Sequence, residues 1–129
     1  MDGPVALEFR DDGLLYIASS ETDEILRYRD TTGVFVDDFI SAGLGGLSGP
    51  QHFAFAPDGN FYVTSFNNHA IFRYDGATGT FIDDFSPPAA PMMAGNEGLL
   101  GPVGIVVGPD DLLYVASSLT DEIYRLSLI

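Results

Sequence analysis

The chain has 129 residues and carries 19 acidic against 5 basic side chains, a formal charge of −14 at pH 7, and every basic residue is arginine. That balance excludes a general nucleic-acid-binding surface, which needs a basic patch, and docking on anionic membrane lipid. A hydrophobic content of 46% excludes a disordered acidic tail, and the absence of cysteine removes disulfides, thiolate metal sites and a cysteine nucleophile.

In chain order, Gly3-Pro4 opens an apolar run over residues 5–9, and Asp12-Gly13 signals a tight hairpin turn. Residues 14–18 form a second apolar run, followed by a polar loop from Ser19 to Asp23 and a third predicted strand over 24–29. Asp30-Thr31-Thr32-Gly33 reads as a turn that needs positive φ at Gly33. A fourth strand is predicted over 34–40. The pattern then repeats. Gly-Pro recurs at Gly49-Pro50 and Gly101-Pro102, spacings of 46 and 52 residues. Leu15-Tyr16-Ile17 matches Phe61-Tyr62-Val63 and Leu113-Tyr114-Val115, and Ile25-Leu26-Arg27 matches Ile71-Phe72-Arg73 and Ile123-Tyr124-Arg125. Asp37-Asp38-Phe39 matches Asp83-Asp84-Phe85, and the third unit reaches Ile129 before that segment. The units are therefore 3–48, 49–100 and 101–129, the last lacking its outer strand. No window shows sustained helical periodicity.

Four short strands per unit predict an antiparallel meander. The runs Leu14-Leu15-Tyr16-Ile17-Ala18 and Gly104-Ile105-Val106-Val107 are apolar on both faces, so the sheets are expected to be sandwiched between neighbours. Four-stranded sheets of this length packed face to face are β-propeller blades, and the predicted fold class is all-β. The succession Gly49-Pro50, an apolar run, Pro57-Asp58-Gly59-Asn60, Phe61-Tyr62-Val63 and Ile71-Phe72-Arg73-Tyr74-Asp75 resembles the NHL-type blade. Nearly the whole chain shares this resemblance, which extends to streptogramin-lyase-like and related six-bladed bacterial propellers.

Three blades do not close a ring, since propellers have about four to eight. Burying the two end faces, at about 25 cal/mol per Å², is worth on the order of 10 kcal/mol before association costs. The expected partner is a second copy of the chain, a homodimer of six blades, with a homotrimer as the less economical alternative. A fragment of a longer propeller is the other reading. No nucleic-acid or membrane partner is expected. No apolar run reaches the about 18 residues of a spanning helix, and Met1-Asp2-Gly3-Pro4 lacks the basic and apolar regions of a signal peptide. A soluble product is expected, and its acidity suits a secreted or periplasmic setting as well as simple solubility.

Two histidines stand out. His52 opens the first strand of the second unit, and His69 lies between that unit's second and third strands. In a propeller both positions emerge on the channel face, so His52 and His69 could share a rim with Gln51, Asn67 and Asn68. A histidine there can act as general base or metal ligand; a solvated loop histidine is the plainer reading. Asp23 and Asp121, with Glu97, could hold Ca²⁺ or another divalent ion through oxygen ligands, an arrangement the resemblance to lactonase-like propellers implies, although a turn-capping Asp explains the first two equally well. Asp37 and Asp83 are expected to pair with Arg27 and Arg73 across strands. Ser19, Ser65 and Ser117 recur in every unit, which points to structure. The longer connection from Pro87 to Gly98 reads either as a lid or partner-binding loop, or as neutral variation. The leading functional reading is a non-enzymatic, self-assembling module that binds a small-molecule or protein ligand on its channel face. A lyase- or lactonase-like enzyme, with a rim histidine and a divalent metal, is the alternative, and a repeat fragment without independent function is the third.

Overall fold

A computed structural model describes residues 1–86 and 98–128. The connection singled out above falls almost wholly outside the described residues, as does Glu97. The first sheet contains β1 (Pro4–Phe9), β2 (Leu14–Ser19), β3 (Glu24–Arg29) and β4 (Phe35–Ile40), antiparallel and in sequence order. The second contains β5 (Pro50–Phe55), β6 (Asn60–Ser65), β7 (Ala70–Asp75) and β8 (Phe81–Asp84) in the same arrangement. The third has three strands, β9 (Pro102–Val107), β10 (Leu113–Ser117) and β11 (Glu122–Leu126). The sheets stack in series, with the first strands β1, β5 and β9 next to one another. No helix of the described residues is long and apolar enough to cross a membrane.

Two apolar layers lie between the sheets, as the two-faced strands require. Tyr16, Ala18 and Ile25 of the first sheet meet Phe53, Phe61, Val63 and Phe72 of the second. Ala54, Tyr62 and Ile71 on the second sheet's other face meet Ile105, Leu113, Val115 and Tyr124 of the third. Alternation along each strand therefore feeds both neighbours at once.

Turn chemistry sets the register. Asp12, Asp58 and Asp110 each accept a backbone N–H two residues on, at 2.9–3.1 Å, and each accepts the phenol O–H of the tyrosine four residues on, Tyr16, Tyr62 and Tyr114, at 2.7 Å. An Asx turn thus fixes the hairpin and pins the large side chain of the next strand. Burial, and then the bond to Asp58, push the Tyr62 phenol up to about 12, so it remains a donor. Gly33 has φ +72, as its turn demands. Two features differ from the sequence expectation. Single 3-10 turns occur at Leu44–Gly46 and Phe66–Asn68. The first is possible because Gly43 and Gly45 adopt left-handed conformations, a choice made by single residues rather than by any periodicity. His52 is the third residue of β5, not its first.

The expected cross-strand pairs form. Arg27 Nε and Nη2 donate to Asp37 Oδ1 and Oδ2 at 2.7 and 2.6 Å, and Arg73 makes the same fork to Asp83 at 2.8 and 2.5 Å. Each guanidinium also lies over an aromatic ring: Arg27 over Phe39 at 4.6 Å and Arg73 over Phe85 at 4.9 Å.

Two measurements follow from this architecture. Asp111 holds φ +62 at the turn position where the first two sheets have Gly13 and Gly59. Asp111→Gly is expected to raise unfolding stability by about 0.5–1 kcal/mol in denaturant titration; a loss of stability would contradict the strain assigned to Asp111. The bidentate bond to Arg27 holds the Asp37 carboxyl below its usual range. Its contribution is therefore complete above the unfolded Asp value of about 3.9 and disappears as pH falls through the lower folded value. Because Asp37 is 43% exposed, Asp37→Asn should cost under about 1 kcal/mol at pH 7. Denaturant midpoints measured against pH should show that difference closing on acidification; a gap of constant size would contradict the pairing.

Candidate functional site

The three first strands form the wall of a groove of about 330 Å³, lined among others by Leu7, Glu8, His52, Phe53 and Ile105. β5 carries His52 into it. The His52 backbone N–H donates to Thr64 Oγ1 at 3.0 Å, and Thr64 Oγ1 also donates to the carbonyl of Val103 on the third sheet at 3.0 Å. Thr64 is completely buried, so a polar clasp between two sheets fixes the backbone from which His52 projects. The His52 imidazole itself is exposed and lies at 27° to the Phe53 ring, with centroids 5.9 Å apart. Gln51 precedes it in β5 and is half-buried. The groove thus joins an apolar floor to one imidazole and one carboxylate, Glu8.

His69 is not among the groove's lining residues. It ends the second 3-10 turn with φ +55, and its Nδ1 accepts the backbone N–H of Gly101 at 3.0 Å. This bond spans from the second sheet to the start of the third. Asp23 occupies the same place in the first sheet, with φ +59, and its Oδ1 accepts the N–H of Gly49 at 2.7 Å. The two residues play the same part. In each, a left-handed conformation directs a short side-chain acceptor to the glycine that opens the next sheet. Asp and His tolerate that conformation better than most side chains. The receiving glycines are themselves left-handed, Gly49 at φ +65 and Gly101 at φ +59, and a Cβ on Gly49 would stand 2.8 Å from Asn67 Nδ2. Asn67 Nδ2 donates to Ser48 Oγ at 3.2 Å, and Asn68 Oδ1 accepts from Ser65 Oγ at 2.5 Å. Ser19, Ser65 and Ser117 are buried and each binds the backbone of the residue just before the sheet-opening glycine.

The structure therefore places the candidates in two settings. His52 belongs to the groove, whereas Gln51, its neighbour in β5, is not among the lining residues; His69 belongs to the junction between the second and third sheets, and Asn67 and Asn68 bond Ser48 and Ser65. Asp23 is committed to Gly49. Asp121 has the same left-handed backbone, φ +59, and is exposed. Among the described residues no three His, Asp or Glu side chains converge as a metal-binding group. Asp23, His69 and Asp121 align in the repeat, but their shared role is not evident from residue type; the available signal is an acceptor side chain just before the third strand in every unit. Sequence reasoning also misses Arg10, whose guanidinium lies 3.4 Å from the Phe55 ring centroid and covers the edge of the first junction.

Similar solved structures include a virginiamycin B lyase from Staphylococcus aureus, determined in a catalytically inactive form with quinupristin, at 22% identity and a TM-score of 0.73. The match covers 97% of this chain and 38% of the lyase. An auxiliary nutrient binding protein from Bacteroides thetaiotaomicron matches at 17% identity and a TM-score of 0.71, over 94% of this chain and 36% of that one. A glutaminyl cyclase from Myxococcus xanthus matches at 15% identity and a TM-score of 0.64, over 95% of this chain and 53% of its own. These likenesses show a β-propeller fold, of which this chain spans well under two thirds of each neighbour's length. No protein-family model matches the sequence, and no curated protein does.

If His69 fastens two sheets, His69→Ala should destabilise the chain by about 1 kcal/mol, the net worth of a hydrogen bond, while His69→Asp, which installs the first sheet's solution, should retain most of it. Chemical denaturation of the three proteins decides; equal loss in both variants would contradict the junction role.

Proposed function

We propose that the chain is a non-enzymatic module of NHL-type propeller blades that binds a ligand in the groove formed by β1, β5 and β9, within a ring completed by further blades. The observation that carries this reading is the setting of His52: an exposed imidazole on a rigidly clasped backbone, above the apolar floor of Leu7, Phe53 and Ile105 and beside Glu8. Such a groove suits a small molecule with an apolar body and one or two hydrogen-bonding groups. The fold likeness to a nutrient binding protein is in keeping with it.

A lyase-like enzyme is the second reading, favoured by one observation. The neighbouring lyase was studied in an inactive form that lacks a single histidine, and His52 is an exposed histidine at a groove. On that reading His52 acts as general base, and a divalent ion such as Ca²⁺ polarises the substrate. One experiment separates the two. Quinupristin and small aromatic acids are titrated into the protein while the His52 ring resonances are followed by NMR, and the quinupristin mixture is then analysed by chromatography with and without added Ca²⁺ or Mg²⁺. Shifts at His52 with unchanged quinupristin are expected. Conversion that is lost in His52→Ala would overturn the non-enzymatic reading, and shifts confined to residues away from the groove would overturn the site.

A further inference from the structure

We propose that the two open faces of the stack are the two halves of a third junction, and that a second copy of this chain occupies them head to tail. This partner rests on the reading of the chain as propeller blades, and it deepens that reading by saying what completes the ring.

Each internal junction has a giving and a receiving half. The giving half is a left-handed acceptor, Asp23 or His69, with a tyrosine of the second strand, Tyr16 or Tyr62, and an isoleucine of the third strand, Ile25 or Ile71, both 0% exposed. The receiving half is a left-handed glycine, Gly49 or Gly101, followed in the first strand by Phe53 or Ile105, 1% and 3% exposed. In the first junction Phe55, two residues further on, packs edge-on against Tyr16 at 5.0 Å.

The third sheet's outer face repeats the giving half. Asp121 has φ +59, Tyr114 stands where Tyr16 and Tyr62 stand, and Ile123 is 61% exposed although both its counterparts are fully covered. Tyr114 and Ile123 border an apolar hollow floored by Gly104, Gly108 and Pro109. The first sheet's outer face repeats the receiving half. Gly3 has φ +62, Leu7 is 65% exposed where its counterparts are covered, and Phe9, the counterpart of Phe55, is 61% exposed. Among the described residues the Gly3 N–H has no acceptor, and the Asp121 carboxylate accepts no N–H from a neighbouring sheet.

The halves complement each other in polarity and in shape. The Asp121 carboxylate is the acceptor for the Gly3 N–H, as Asp23 is for Gly49, and the Phe9 ring is the filler for the hollow beside Tyr114, as Phe55 is beside Tyr16. Both halves lie on one chain, so a copy carries what the next copy lacks. The contact is heterologous, and a heterologous contact ends in a closed ring or an open filament. Propellers have about four to eight blades, and two copies of these three sheets, six in all, fall within that range.

The test uses the chain of 129 residues. Light scattering is expected to give a particle of twice 13.8 kDa, unchanged by salt that screens the net charge. Phe9→Glu damages only the receiving half and Ile123→Glu only the giving half. Each variant alone is expected as a single-chain particle with an unchanged strand spectrum, and an equal mixture is expected to recover two-chain particles, because one intact giving half meets one intact receiving half. A wild-type particle of 13.8 kDa, a three-chain particle, a variant that stays paired by itself, or a mixture that stays unpaired would each overturn the proposal. Should either glutamate variant fail to fold, Asp121→Ala is the milder probe: it should weaken pairing about tenfold or more, and Asp121→His, which borrows the second sheet's acceptor, should restore it. Pairing that is unchanged in Asp121→Ala would likewise overturn the proposal. The groove at His52 shares Leu7 with the receiving half, so its binding test is read in the single-chain Ile123→Glu variant, where the groove lining is intact and pairing does not enter.

Discussion

The structure depends on one short contact: an acceptor side chain held in a left-handed backbone just before the third strand of a sheet, taking the N–H of the glycine that opens the next sheet. Asp23 to Gly49 and His69 to Gly101 are two instances with different chemistry and the same geometry. Apolar layers supply most of the attraction between sheets, but burial is non-directional. A polar contact at a fixed end of each junction gives the stack its register. Strain at the acceptor is tolerated because Asp and His are short and can use the conformation to aim a polar atom.

A second layer of order comes from the hairpin turns. Asp12, Asp58 and Asp110 each anchor a turn and a tyrosine, and Tyr16 and Tyr62 stand on the face that meets the following sheet. Local turn chemistry is thereby coupled to packing between sheets. Within this frame the groove at His52 is a departure. Where the first and third units have Ala6 and Gly104, the second has a histidine whose side chain makes no hydrogen bond among the described residues beyond its ring contact with Phe53. A polar group left to solvent, on a backbone clasped by buried Thr64, is the feature on which the proposal of a ligand groove rests.

Much of the fold was legible in the sequence because the repeat supplies independent copies of each signal. Asp-Gly turns, Leu-Tyr-Ile against Phe-Tyr-Val, and the Arg27–Asp37 and Arg73–Asp83 pairs were readable from spacing alone. The 3-10 turn at Leu44–Gly46 was not, because glycine conformation carries no periodic trace. The candidate site was only half legible. His52 was found because it breaks the repeat. His69 was found for the same reason, yet its position turns out to share a function with Asp23: histidine and aspartate look different as residue types but present equivalent acceptors to a backbone N–H. Sequence comparison weighs side-chain identity, whereas this junction is defined by backbone conformation and by one lone pair.

Amide hydrogen exchange at the sheet-opening glycines tests the central contact most directly. If the junction contact organises the stack, the Gly49 and Gly101 amides exchange as slowly as the central strands β2 and β6, although both lie at the ends of connections where exchange is ordinarily fast. Exchange of both amides at the rate of the exposed turn around Gly33 would contradict it.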